Sequence, residues 1–404
     1  MAERSRANAF RRLWAARTVS YFGDSLSLVA LMLHLVESTG QALAVATLLL
    51  VGDVAPALLG PLAGTVSDRF DLKRVMVGAE LVQAALVAVI ALWLPALPVL
   101  LVLVGMRSAV AHVFQPASRA AVPALVRPEQ LPGANAALGL GTNLGEAVGP
   151  LTAAVVIPAL GIRAALLVDA ASFLVSAALL ATIGLKRRAG NEVRTTFLRD
   201  ARIGLSYMWR SSFARAITVG YVGVVAFNGI DDVALVFLAT ETLSGGQSAV
   251  GLLLAGVGLG LLAGYALLAR TRSRLSMVAL LLVGLATSSA GNLLTGLAWA
   301  VLAAFALQTI RGLGIAALDV AANTLLQQAV PAAMLGRVFG TLYGAIGLAA
   351  GFSYVAGSLL LNVAGPRVTL VVAGAGGLAV TLGTAFLLHR SQASAPPAAE
   401  QPTK

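Results

Sequence analysis

The 404-residue chain has no cysteine, three lysines (Lys73, Lys186 and Lys404), three histidines (His34, His112 and His389) and only 11% charged residues. Without cysteine there is no disulfide scaffold, no thiolate nucleophile and no Cys-based metal site. The histidines are far apart, no His/Asp set is clustered and no Walker-type phosphate loop occurs, so a metal centre, a cofactor site and an ATP-driven motor are not expected. A soluble domain has about 25% charged and about 45–50% apolar residues. Here 58% are hydrophobic and the mean hydropathy is +0.89. An ordinary soluble enzyme and a disordered chain are excluded. The net charge of +11 does not indicate a nucleic-acid partner, because the positive residues lie between apolar segments rather than on one soluble basic face.

Windows of about 20 apolar residues predict spans over 10–36, 41–66, 75–94, 98–117, 134–159, 163–185, 213–240, 249–269, 275–297, 299–325, 338–362 and 368–388. The first is too long for a cleavable signal and reads as a retained anchor. The expected fold is an all-α polytopic membrane protein with twelve transmembrane helices in two pseudo-symmetric six-helix halves. Residues 1–185 form the first half and 213–390 the second. Residues 186–212 form a linker whose 196–210 stretch alternates basic and apolar residues at helical spacing, as an amphipathic helix on the membrane surface does. Residues 391–404, rich in Ala and Pro, read as a disordered tail.

Of the 28 Lys and Arg residues, 24 fall in one set of loops and ends, among them Arg17, Arg119 and Arg337. Only Arg163 and Arg367 fall in the opposite set, and Arg107 and Arg311 lie inside spans. This asymmetry predicts that both termini are cytoplasmic. Trp14, Trp93, Trp209 and Trp299 lie near span ends, as interfacial aromatics do. The arginine-over-lysine and Ala/Gly/Val/Leu bias suggests a GC-rich bacterial genome, hence the bacterial cytoplasmic membrane.

The halves echo each other. Val19, Tyr21 and Gly23 match Val219, Tyr221 and Gly223; Arg107 matches Arg311; Pro128 and Gly133 match Pro331 and Gly336. The offsets are 200, 204 and 203 residues, each close to half the chain. Two parallel repeats around a central cavity are a transporter plan.

An ionisable side chain in hydrocarbon is costly and marks a functional site by default. The candidates for a proton-coupling or substrate cavity are Asp24, Asp53, Arg107, Glu146, Asp231, Asp232, Arg311 and Asp319. Asp24 and Arg107 form the first expected pair. Desolvation and a neighbouring guanidinium pull oppositely on a carboxyl's proton, so such a site can exchange a proton for a substrate. Asp53 precedes Pro56 and a Gly60-Pro61 kink. Glu146, between Gly145 and Gly149-Pro150, is a second candidate proton site. Asp231 and Asp232 point about 100° apart on one helix, so at most one faces the centre. Arg311 and Asp319, eight residues apart, are expected on one face. Glu80 and Asp169 lie nearer span ends and read as structural, and His112 as a packing residue. Asn228, Asn292 and Asn323 read as interhelical hydrogen-bonding residues. Phe22, Phe114, Phe227 and Tyr221 either stack on a substrate or pack the bundle. Gly256, Gly258 and Gly260, inside an apolar span, read as helix packing rather than a dinucleotide loop.

Between spans 2 and 3 the chain reads Gly64-Thr-Val-Ser-Asp68-Arg69-Phe-Asp71-Leu-Lys73-Arg74. This resembles the cytoplasmic signature of the major facilitator superfamily in Gly64, Asp68, Arg69, Lys73 and Arg74. It departs at Asp71, where the family usually has glycine, although Asp also caps a helix well. Arg107 resembles the family's buried arginine, with Val110-Ala111 replacing the Gln-Gly that usually follows. Gly145, Gly149 and Pro150 resemble the antiporter motif of span 5, with Ala153-Ala154 where paired glycines are common. The run from Phe114 through Arg119 to Pro123, followed by Pro128-Glu129 and Ala134-Asn135-Ala136, resembles the branch holding macrolide efflux proteins and the enterobactin exporter. The resemblance implies alternating access by two rocking halves, an Asp68 loop that latches the cytoplasmic side, and export driven by proton entry.

The expected function is therefore secondary active transport: a monomeric, proton-coupled exporter of small apolar or amphipathic compounds such as antibiotics, drugs or siderophore-like natural products. Its expected partners are that substrate, protons and the lipid bilayer. The rivals are a nutrient importer or uniporter on the same fold, and a membrane enzyme or scaffold that transports nothing. A sugar importer would be expected to place more Asn, Gln and Trp in its spans.

Overall fold

In a bilayer each backbone N–H and C=O must find a partner within the protein, so apolar runs of this length fold as helices. A computed structural model describes residues 2–39, 44, 47–48, 50–54, 59–185, 197–243, 246–270 and 275–393. Among the described residues there is no strand. The first helices are α1 (Ala2–Thr39), α2 (Gly60–Arg69), α3 (Leu72–Trp93) and α4 (Leu97–Leu125). The run Leu131–Ala181 divides at Gly161 into α5 (131–160) and α6 (162–181). Next come α7 (Phe197–Arg210), α8 (Ser212–Asn228), α9 (Asp231–Phe237), α10 (Gly246–Arg270), α11 (Met277–Gly296) and α12 (Val301–Ala329). The run Leu335–Ala393 divides at Gly365 into α13 (335–364) and α14 (366–393).

Nine runs among the described residues are long and apolar enough to cross a membrane. One of them, Ala332–Arg390, has 59 residues, far more than the roughly 17–25 a single crossing needs. Gly161 and Gly365, with φ of +82° and +77°, break the two long runs. Glycine takes this backbone without a Cβ clash. The two glycines are 204 residues apart, the same offset as Arg107 and Arg311. The arrangement is consistent with twelve crossings. Most of 41–58, with 186–196, 271–274 and 394–404, lies outside the described residues, and so does most of the expected tail.

Several expected boundaries move. Helix α1 starts at Ala2, so the N-terminal arginines from Arg4 to Arg17 ride on a helix rather than in a loop. Helix α4 runs on through Pro116 and Pro123 to Leu125 instead of ending at 117. The seventh expected span is interrupted between Asn228 and Asp231. Trp93 and Trp299 are 64% and 83% exposed at helix ends, as interfacial aromatics are. The Trp14 indole N–H donates to the Ala137 carbonyl at 2.8 Å, between α1 and α5.

Apolar side chains such as Leu92, Leu302 and Val363 point outward, an arrangement suited to lipid and not to water. Inside, glycines bring backbones together. A Cβ on Gly145 would lie 2.8 Å from the Phe22 nitrogen and one on Gly149 2.9 Å from the Leu26 nitrogen, both on α1. One on Gly260 would overlap the Thr309 carbonyl of α12, which agrees with the packing role read for that glycine run.

Candidate functional site

Helices α1 and α4 carry Asp24 and Arg107, and the structure brings them together as an ion pair. Their side chains are 28% and 14% exposed and line a cavity of ≈280 Å³. Ser20, Tyr21, Gln83, His112 and Phe114 share this lining. The His112 Nδ1–H donates to the Ser108 carbonyl one turn back, at 3.0 Å. His112 was expected only to pack; it also faces the cavity. Two buried carboxyls stand behind the pair. Glu80 on α3 accepts from the Ser20 hydroxyl at 3.3 Å. Asp169 on α6 lies against Gly23. Both are fully buried, and among the described residues Oε1 of Glu80 and Oδ2 of Asp169 have no hydrogen-bond partner within bonding geometry. Both stand close to the cavity through their neighbours, Ser20 in its lining for Glu80 and Gly23 next to Asp24 for Asp169.

Helices α9 and α12 repeat the first arrangement. Asp231 pairs with Arg311, and Arg311 also donates to Gln308 at 3.3 Å. Here the two side chains are only 7% and 6% exposed, so this pair is sealed while its counterpart opens to a cavity. Polar contacts continue from Gln308 to Thr295 (3.0 Å), from Asn292 to Asn228 (3.1 Å) and from Asn228 to Ser289 (3.2 Å). Asn228 and Asn292 thus join helices as expected. Arg311 and Asp319 do not pair with each other. Eight residues of helix separate them by about 12 Å, and each has a different partner.

Asp319 belongs to a network that joins α4 and α5 to α12. It pairs with Arg119 at 3.5 Å. It also accepts from Tyr221 (3.3 Å), Tyr265 (3.1 Å) and Asn323 (2.8 Å). Tyr343 donates to Asn323 at 2.8 Å. Tyr221, one of the possible stacking residues, is thereby held by a carboxylate. Nearby, the Asn135 amide donates to Thr324 at 3.1 Å and Gln327 at 2.6 Å, and Gln327 donates to the Arg119 carbonyl at 3.1 Å. Arg17 donates to Ser118 and lies 5.3 Å over the Tyr21 ring. Arg17, Arg119 and Arg337, which the charge distribution places in loops and ends, are all buried.

The signature loop closes one end of the bundle. The Asp68 carboxylate, fully buried, accepts from the backbone N–H groups of Gly336 and Arg337, each at 2.9 Å, and pairs with the Arg337 guanidinium at 3.5 Å. A Cβ on Gly64 would overlap the Gly336 carbonyl, and one on Gly60 the Gly340 carbonyl, so α2 and α13 touch backbone to backbone. Asp71 caps α3 by accepting from the Arg74 N–H at 3.0 Å, so the departure from glycine keeps a helix start. Arg69, Lys73 and Arg74 surround this end. Pro150 lies within helical α5, three residues before buried Ala153. The side chains of Asp53, Glu146 and Asp232 lie outside the described residues.

The sequence profile of the Major Facilitator Superfamily matches residues 13–244. The chain belongs to that superfamily. It is therefore a multi-pass membrane transporter and not an enzyme. It is 25% identical over 388 residues to the MFS-type transporter YfiS of Bacillus subtilis, covering 94% of this chain and 92% of that one. It is 27% identical over 207 residues to macrolide efflux protein A of Streptococcus pyogenes, covering 49% of this chain and 51% of the relative, so the match spans about half of each. The fold is similar to that of the human organic anion transporter MFSD10, with a TM-score of 0.79 at 19% identity, covering 95% and 99% of the two chains. It is also similar to an outward-facing bacterial homologue of the iron transporter ferroportin, with a TM-score of 0.75 at 18% identity and coverage of 95% and 99%.

Proposed function

We propose that this superfamily member exports small apolar or amphipathic compounds in exchange for protons. The observation that carries this reading is the half-open Asp24–Arg107 pair lining a ≈280 Å³ cavity, while the matching Asp231–Arg311 pair is sealed. A charged pair within reach of a cavity can trade its internal contact for a cargo or a proton; a sealed one holds helices together. Glu80 and Asp169 are the accompanying proton carriers. Each is buried beside the pair with a carboxyl oxygen that has no partner among the described residues, and Ser20 links Glu80 to the cavity wall.

Export is supported by the name of the macrolide relative and by the close contact of Gly145 and Gly149 with α1. The Asp68 end, with most of the Lys and Arg residues, is the cytoplasmic one by their distribution. In this arrangement it is shut by the Asp68–Gly336, Arg119–Asp319 and Asn135–Gln327 contacts. The cycle is alternating access between a first unit over 1–185 and a second over 213–390, in a bacterial cytoplasmic membrane.

Purified protein in liposomes with an imposed pH gradient tests the coupling. Uptake of a macrolide should follow the gradient and stop when it is dissipated. Uptake indifferent to the gradient would refute proton exchange. A deletion strain should become sensitive to such compounds; a strain that instead fails to grow on one nutrient would mark an importer.

A further inference from the structure

At the end of the bundle that carries Asp68, a second cavity of ≈1010 Å³ is lined by the start of α1, the junction of α4 with α5, the end of α10 and the start of α11. Arg6 and Arg11 stand on α1, Arg127 precedes α5, and Arg270 ends α10. Against these four arginines the described lining residues include one acidic residue, Glu129. The arginines are solvent-accessible, while the deeper wall is apolar, formed by Phe10, Leu268, Met277 and fully buried Val320.

The two kinds of wall select the occupant. Guanidinium forks match phosphate oxygens in shape and charge. An inorganic anion would satisfy the arginines and leave the apolar wall in water. A neutral apolar compound would cover that wall and make no use of the guanidinium groups. A phosphodiester attached to a glycerol and acyl chains satisfies both. Basic pockets between membrane helices are where acidic headgroups bind. We propose that this cavity binds the headgroup of an acidic phospholipid, its phosphate held by Arg6, Arg11, Arg127 and Arg270. The walls come from helices far apart in sequence, so the lipid fits only while they lie side by side. Its binding therefore favours the form in which this end is closed.

Native mass spectrometry of the full chain in detergent, titrated with phosphatidylglycerol, provides the test. Phosphatidylcholine and inorganic phosphate are run in parallel. One basic residue near an anionic headgroup is worth roughly fivefold in affinity. The double variant R11Q/R270Q should therefore weaken phosphatidylglycerol binding by about 25-fold. The triple variant R199Q/R202Q/R210Q, on exposed positions of α7 at the same end, should bind it as the wild type does. If the double variant does not fold, R270Q alone, at an exposed helix end, should show a loss of about fivefold. Three results would overturn the assignment: unchanged phosphatidylglycerol binding in R11Q/R270Q or R270Q, phosphatidylcholine retained as strongly, or displacement of the lipid by equimolar inorganic phosphate.

Discussion

The charged residues of this bundle differ less in identity than in how far they are sealed. Arg311 and Asp231 are almost fully buried together. Removing one partner of such a pair leaves the other charge uncompensated and costs about 3–5 kcal/mol. Arg311→Ala is therefore expected to lower the thermal midpoint of the detergent-purified protein sharply, and Arg311→Ala with Asp231→Ala to recover part of that loss. Arg107→Ala should cost less stability, because Asp24 is 28% exposed and can be hydrated, but should abolish transport at matched membrane expression. Should Arg107→Ala transport normally, the cavity pair has no part in the cycle. Glu80→Gln with Asp169→Asn should leave substrate binding in place and remove its dependence on a pH gradient, read in the same liposomes. An unchanged gradient dependence would leave the proton to Asp24.

At the scale of helices, close approach is set by glycine. Gly64 has no room for a side chain against the Gly336 carbonyl, so Gly64→Val should wedge α2 from α13. Because the chain lacks cysteine, Ser67→Cys can report this. The fully buried position 67 should resist maleimide in the otherwise wild-type protein and react in the Gly64→Val background. Equal labelling rates would show that the contact is not the closure. The helices themselves were legible in the sequence because each apolar run must satisfy its own backbone. Their ends were not. A hydropathy window stops where polar residues begin, so α4 was ended at 117, before Arg119. The repeat held the missing signal. Subtracting the 204-residue offset of Arg107 and Arg311 from 325, the expected end of the tenth span, gives 121, which places Arg119 inside its helix. The Asp24–Arg107 contact was readable because both groups stood alone in apolar surroundings. Asp319 was visible in the same way, but its partner Arg119 had already been counted among the loops. That Glu80 and Asp169 stand close to the Asp24–Arg107 pair was not legible, because distance along a span does not tell which face of the helix turns inward.

Over the whole molecule, one end is joined by three kinds of contact: backbone touching backbone at Gly60 and Gly64, the Asp68 carboxylate on the start of α13, and the Arg119–Asp319 network. Asp319→Asn would keep a hydrogen-bond acceptor and remove the counter-charge of Arg119. It is expected to raise the reactivity of a cysteine placed at the fully buried Thr324 position more than Glu80→Gln does, since only the former lies between α4 and α12. The two sequence repeats do not use their charges alike: one pair faces a cavity and its counterpart is enclosed.

The Asp319 carboxylate gathers a guanidinium, two phenols and an amide from four different helices onto two oxygen atoms. Separating Arg119 from Asp319 would leave two charges without partners in a buried place, so opening this mouth is expected to break these contacts together. Half-open forms would then be rare, and leakage of ions past this mouth is expected to be small.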